Sequence, residues 1–200
     1  MSVRLFAAID LDPAVRAALE VQVDLLRRQW GAAANDVRWV PSDRRHLTLV
    51  FVGAAAEASV ARLEQVFAER IPLPPFELCV RTLGVFPARG PARVLWAGVE
   101  EPAGRLPALY DTVRARMVDA GLAPDDKPLH AHVTLGRLRD RGSAAATVRK
   151  LVAATPVDAG CCGVDCVTLY ESRATGRDHA YRPLARAPLW DPSTTSSFRS

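Results

Sequence analysis

One tetrapeptide pattern occurs twice, as His46-Leu47-Thr48-Leu49 and His132-Val133-Thr134-Leu135, 86 residues apart in a 200-residue chain with only four histidines. On an extended strand, side chains two apart share a face, so each copy presents an imidazole and a hydroxyl together while its aliphatic neighbours point into a core. If the two strands lie side by side, one pocket holds two proton-transfer groups and two hydroxyl donors. That set suits acid and base chemistry on a phosphate.

The chain around the pattern reads as alternating strands and helices. Residues 3–9 form an apolar strand, and Asp12 and Pro13 stand at the N-cap and first turn of a helix running to about Trp30. Strands are expected over 37–40, 46–52, 76–83, 93–99, 129–138, 163–172 and 180–185, and helices over 58–69, 106–120 and 144–153. Gly121 stops the third helix. This mixed order predicts an α+β fold with largely antiparallel pairing. Both motifs lie in a strand followed by a helix, a layout that suggests an internal duplication with pseudo-twofold symmetry.

A length of 200 residues fits one domain or two small lobes sharing a core, and 49% hydrophobic residues with a mean hydropathy of +0.02 suffice to build it. A tail from about 191 is expected to be disordered or loosely packed. The net charge of +4 leans towards an anionic partner without reaching the charge of a dedicated nucleic-acid binder. No run approaches a membrane span and the N-terminus lacks the pattern of a signal peptide. Cys79, Cys161, Cys162 and Cys166 show neither a disulfide framework nor Cys-x-x-Cys zinc pairs. Reduced, small buried thiols in a cytoplasmic protein are therefore expected.

Two facing imidazoles can hold different protonation states, one neutral as base on a water and one protonated as acid on a leaving oxygen. The threonine hydroxyls can donate to the non-bridging oxygens of a phosphate, so no metal or other cofactor is required. Phe51 is expected on the buried side with Leu47 and Leu49, and Trp39 in the core. Strict alternation places Arg137 on the face opposite His132 and Thr134. Arg38, Arg44, Arg45, Arg89 and Arg93 adjoin the motif strands, where they could guide RNA or simply form a solvated face. His130 shares a face with His132 and is read as a rim residue, with a His-x-His metal pair as the other reading. His179 is given no role.

These residues, taken in order, resemble the 2H phosphoesterases, and within them the RNA 2′,3′-cyclic phosphodiesterase (2′-5′ RNA ligase) family. Arg38-Trp39-Val40-Pro41 leading into the first motif and its Val50-Phe51-Val52-Gly53 continuation is similar to the family's first motif and its approach. Val85-Phe86-Pro87 followed by residues 91–99 resembles the central hairpin, and His132-Val133-Thr134-Leu135-Gly136-Arg137 the second motif. Leu169-Tyr170-Glu171-Ser172, with Gly176 and Tyr181, resembles the C-terminal hairpin; Ala131 departs from the proline common before the second histidine.

The resemblance implies one bilobal pseudo-twofold domain over residues 1–200, with two largely antiparallel sheets around a central cleft and helices outside. It implies hydrolysis of a terminal 2′,3′-cyclic phosphate on RNA to a 2′-phosphate, and in reverse 2′-5′ ligation. His46 would be the proton donor and His132 the proton acceptor, with Thr48 and Thr134 holding the phosphate and Arg137 binding substrate. The implied partners are RNA ends or nucleotides with a 2′,3′-cyclic phosphate, engaged by a monomer with no membrane and no obligate protein partner. Three competing readings are a non-catalytic RNA-end binder, a hydrolase of nucleotide-linked small molecules, and a metal-dependent hydrolase using His46, His130 and His132.

Overall fold

Asp12 opens the first helix as expected: its carboxylate accepts from the Val15 amide at 2.8 Å and Pro13 occupies the first turn. The computed structural model describes residues 2–139, 143–175 and 178–193. Gly176 and the tail from residue 194 lie outside the described residues. Nine strands and four helices follow in the order β1 (Ser2–Asp10), α1 (Pro13–Trp30), β2 (Val37–Trp39), β3 (His46–Ala56), α2 (Glu57–Phe67), β4 (Phe76–Phe86), β5 (Val94–Glu100), α3 (Leu106–Asp119), β6 (His132–Leu138), α4 (Ser143–Ala154), β7 (Asp158–Val164), β8 (Cys166–Thr175) and β9 (Asp178–Pro188).

The strands form one curled sheet in the order β7-β4-β5-β6-β3-β1-β8-β9, with β2 added to β6, and all these pairings are antiparallel. Read outwards from the β6–β3 seam, β6 and β3 carry the two motifs and β5 and β1 flank them. The sheet is thus two antiparallel four-strand halves related by a pseudo-twofold axis. Among the described residues, only Leu47 and Val133 pair across the seam.

Helices α1 and α4 pack on the half containing β4 and β7, whereas α2 and α3 pack on the half containing β3. Helix α1 buries Val15, Leu19, Val23, Leu26 and Trp30, and α3 buries Leu106, Leu109, Val113 and Met117, both at helical spacing. These apolar stripes join the inward face of the sheet in one core that includes Leu5, Leu47, Leu95 and Val133.

The sequence expectations need three corrections here. Strand β7 was not foreseen, because Ala159, Gly160 and Gly163 have little strand propensity and only pairing with β4 extends them. The second motif strand begins at His132, not near 129, and residues 122–131 run to it outside any helix or strand. Cys79 and Cys161 are joined by a disulfide, contrary to the expectation of reduced thiols: they stand directly opposite each other on β4 and β7, 82 residues apart in sequence. Cys162 and Cys166 remain thiols.

Candidate active site

The antiparallel pairing of Leu47 with Val133 fixes the centre of the cleft. In such a register His46 lies across from Thr134 and Thr48 across from His132, all four on the face opposite the buried Leu47 and Val133. The two histidines are then diagonal neighbours, a relation that places Cβ atoms roughly 7–8 Å apart. A single tetrahedral phosphate fits between them.

Each imidazole is oriented by its own chain. His46 Nδ1 donates to the Arg44 carbonyl at 2.9 Å, and its Nε2 faces Thr48 Oγ1 at 3.0 Å. His132 Nδ1 donates to the His130 carbonyl at 2.6 Å. Both rings therefore turn Nε2 towards the cleft, the atom that would exchange protons with a substrate. Burial pushes both imidazoles below their usual value; the Arg44 carbonyl and Asp10 partly oppose this at His46, and the His130 carbonyl does so at His132, where the charges of His130 and Arg137 add to the lowering.

Aromatic rings hold the two histidines in place. Phe6 stacks on His46 with centroids 5.0 Å apart, and the Tyr181 ring meets His46 edge-on at 5.4 Å. On the other side Phe86 meets His132 edge-on at 5.0 Å and Trp96 at 6.2 Å. Asp10, beside His46 in the register, accepts from the hydroxyls of Thr168 and Tyr170 at 2.8 and 2.7 Å. Sequence reading gave these groups no role, although Phe86, Trp96, Tyr170 and Tyr181 stand within the segments that carried the resemblance.

Two bulges correct the placement of Arg137 and Phe51. Along β6, Gly136 and Thr134 oppose the consecutive residues Leu95 and Trp96, leaving Leu135 as an extra residue. Along β3, Val50 and Thr48 oppose consecutive Ala7 and Ala8, leaving Leu49 extra. An extra residue resets the alternation of side chains. Arg137 therefore joins Thr134 on the cleft face, and Phe51, 43% exposed, joins Thr48 rather than Leu49. Arg137 and Phe51 occupy the same position after their motifs.

A cleft of about 190 Å³ is lined by His46, Thr48, Phe51, Thr134, Arg137 and Tyr181, among others. Beyond His46 it adjoins a larger groove, about 860 Å³, bearing Arg16, Arg44, Arg186, Tyr170 and His179. His179, given no role from sequence, lies on β9 with Nδ1 3.2 Å from Ser172 Oγ, and its carbonyl accepts from Arg44. Arg45 borders this groove, but its side chain is fully buried, ion-paired with Glu20 and donating to the Val40 carbonyl. Arg38 borders a neighbouring pocket with Arg137. Trp39, expected in the core, is half-buried and packs against it, with Nε1 donating to the Ala34 carbonyl.

His130 is exposed, with its ring packed edge-on against Phe86 and Trp96. Among the described residues, the one close trio of residue types that bind metals is Glu77 with Cys79 and Cys161, whose sulfurs are joined in the disulfide, away from the cleft. The geometry therefore gives no support to a centre built from His46, His130 and His132. No helix among the described residues is long and apolar enough to cross a membrane.

With this geometry in place, the likeness to known proteins becomes specific. The model of the 2'-5' RNA ligase superfamily matches residues 15–175. The chain belongs to that superfamily. A protein of Methanothermobacter thermautotrophicus named RNA 2',3'-cyclic phosphodiesterase is 32% identical over 188 residues, 92% of this chain and 97% of that protein. Another of the same name from Archaeoglobus fulgidus is 32% identical over 145 residues, 72% of this chain and 78% of that protein. Among solved structures of the superfamily fold, Escherichia coli LigT complexed with 3'-AMP superposes with a TM-score of 0.72 at 29% identity, covering 94% of this chain and 99% of that one. TT0787 of Thermus thermophilus superposes equally well at 26% identity, with the same coverage.

Proposed function

We propose that this chain hydrolyses the terminal 2′,3′-cyclic phosphate of RNA to a 2′-phosphate, with His46 as acid and His132 as base. The observation that carries the reading is the Leu47–Val133 pairing, which sets both His-Thr couples around one phosphate-sized site. The names of the superfamily relatives support the same substrate class.

The unequal surroundings of the histidines support the direction of reaction. Arg16, Arg44 and Arg186 lie on the His46 side, suited to the phosphates of the RNA body. The terminal ribose and its 3′ oxygen then belong beside His46, and the attacking water beside His132. His132 Nε2 takes a proton from water as its oxygen bonds to phosphorus; the bond from phosphorus to the 3′ oxygen breaks, and His46 gives that oxygen a proton. Thr48, Thr134 and Arg137 stabilise the charge that develops on the non-bridging oxygens. This scheme needs no metal, membrane or protein partner, and the same attack by an RNA 5′-hydroxyl in place of water would join 2′-5′ ends. It treats residues 1–200 as one bilobal unit acting as a monomer.

A second reading, hydrolysis of nucleotide-linked small molecules, draws on structures of LigT with ATP and with NADP+. Incubation with an RNA ending in a cyclic phosphate, alongside 2′,3′-cyclic nucleotides and ATP, separates the two by which substrate is consumed. The product should be the 2′-phosphate, and the activity should survive a chelator. His46→Ala and His132→Ala should each lower turnover by at least ~10²-fold, and Thr48→Ala and Thr134→Ala by about 10-fold. A 3′-phosphate product, or unchanged rates in either histidine variant, would overturn the scheme.

A further inference from the structure

His46 stands in surroundings that oppose the charge an acid must carry. Phe6 stacks on its ring and Tyr170 lies nearly parallel to it at 6.4 Å, and this burial is the main force drawing the imidazole away from its charged form. Arg44 in the turn before β3, Arg16 of α1 and Arg186 of β9 line the groove beside it. His132 and Arg137 of β6 face it across the cleft. Positive charge on any of them works against an imidazolium at His46, whereas buried Arg45 is answered by Glu20.

Two carboxylates line the same groove, together with His179 and Tyr181 of β9. Asp43 is exposed, where water screens it. Asp10, at the end of β1, pairs directly with His46 in the β1–β3 register, a relation that puts both side chains on one face with Cβ atoms roughly 4.5–5.5 Å apart. The Thr168 and Tyr170 hydroxyls donate to its Oδ2 and Oδ1 at 2.8 and 2.7 Å. With both oxygens accepting, the group stands as a carboxylate of fixed direction. Burial and Asp10 push the Tyr170 phenol well above its usual value, so it stays a neutral donor. Both nitrogens of His46 are engaged elsewhere, Nδ1 with the Arg44 carbonyl and Nε2 with Thr48, so Asp10 reaches the ring through space.

The other half of the sheet lacks this feature. Strand β5 flanks β6 as β1 flanks β3, and the residue opposite His132 is Gly98. Burial and the charges of His130 and Arg137 hold His132 below its usual value, with no carboxylate opposite to restore it. We infer that Asp10 is a positioning residue for the acid: fixed by Thr168 and Tyr170 opposite His46, its charge keeps the proton on that ring until the 3′ oxygen takes it. This role rests on His46 being the acid, as proposed above. The contrast of Asp10 with Gly98 then divides the labour between two rings that their motifs leave alike.

The test follows the four histidines of the full chain by NMR titration and measures kcat/KM on a 2′,3′-cyclic nucleotide across pH, in wild type, Asp10→Asn and Asp10→Glu. In Asp10→Asn the His46 midpoint should fall while that of His132 stays in place. The ratio of kcat/KM at neutral pH to that on the acid side should drop by about 3–10-fold, because fewer His46 rings then hold a proton. Removing a negative charge also strengthens binding of an anionic substrate, but equally at every pH, so the ratio is blind to it. Asp10→Glu should return both readouts towards wild type, and Asp10→Ser replaces Asp10→Asn should the latter fail to fold. A His46 midpoint that the neutral variant leaves in place, or that falls equally in Asp10→Glu, would overturn the role of Asp10 and leave the proposed function standing. A midpoint that falls with no change in the rate ratio would show that His46 is not the acid, and would overturn the proposed function with it.

Discussion

His46 and His132 differ more in their surroundings than in their motifs, and the difference sets their titration. Desolvation lowers both below the ordinary imidazole value of 6.5, so the free protein at neutral pH holds both rings mainly uncharged. A base must be unprotonated and an acid protonated, so kcat/KM should peak below pH 6.5 and fall towards neutrality as His46 loses its proton. A bound phosphate anion favours imidazolium, so the kcat profile should lie at higher pH than that of kcat/KM. Measuring both profiles on a cyclic nucleotide tests this, and a kcat/KM maximum above neutrality would contradict it. A charge on His132 lowers His46 a little further across the cleft.

At the scale of strands, the two bulges decide which side chains reach the substrate. The motif residues themselves were legible: alternation put Leu47 and Val133 inside and His46, Thr48, His132 and Thr134 outside. Two residues further on, the same rule failed for Phe51 and Arg137, because the extra residue at Leu49 or Leu135 exists only relative to the neighbouring strand. The start of α1 was legible because Asp12 and Pro13 act locally. Strand β4 contributes through Gly84, where an added Cβ would lie 2.0 Å from the Trp96 ring. Gly84→Ala should displace Trp96, costing about 1–3 kcal/mol of stability. Turnover should fall as well, because that ring and Phe86 position His132. Tryptophan emission and kcat, measured together on folded protein, check the link; unchanged turnover with a displaced ring would break it.

Across the whole molecule, the halves are interlocked by where the helices pack. Helix α1 follows β1 in sequence yet covers the half that contains β7, and α3 covers β3. Arg45, at the entry to β3, is held from that helix by Glu20, so the first motif strand is anchored to an element that packs on the other half. The Cys79–Cys161 disulfide ties β4 to β7 at the outer edge of that half, away from the cleft. Reduction, or Cys79→Ser, should therefore lower stability by about 2–4 kcal/mol while leaving kcat on a cyclic nucleotide close to that of the oxidised protein. Thermal unfolding with and without a dithiol measures the first part and steady-state kinetics the second. A large loss of kcat in the folded reduced protein would show that this edge communicates with His132.

By itself the sequence determined the class of fold, the extent of the first helix and which four side chains leave the core from the two motif strands. Each of these follows from spacing along one strand or one helical turn; the Leu47–Val133 pairing brought those strands together. Tertiary structure alone decided that Arg137 and Phe51 join those four, that Arg45 is buried, that residues 158–164 form a strand, and that Cys79 meets Cys161. The physical reason is common to all of them: a bulge, an ion pair, a weak strand or a disulfide is defined by a partner far away in the chain, and pairing across the sheet is what brings that partner into contact.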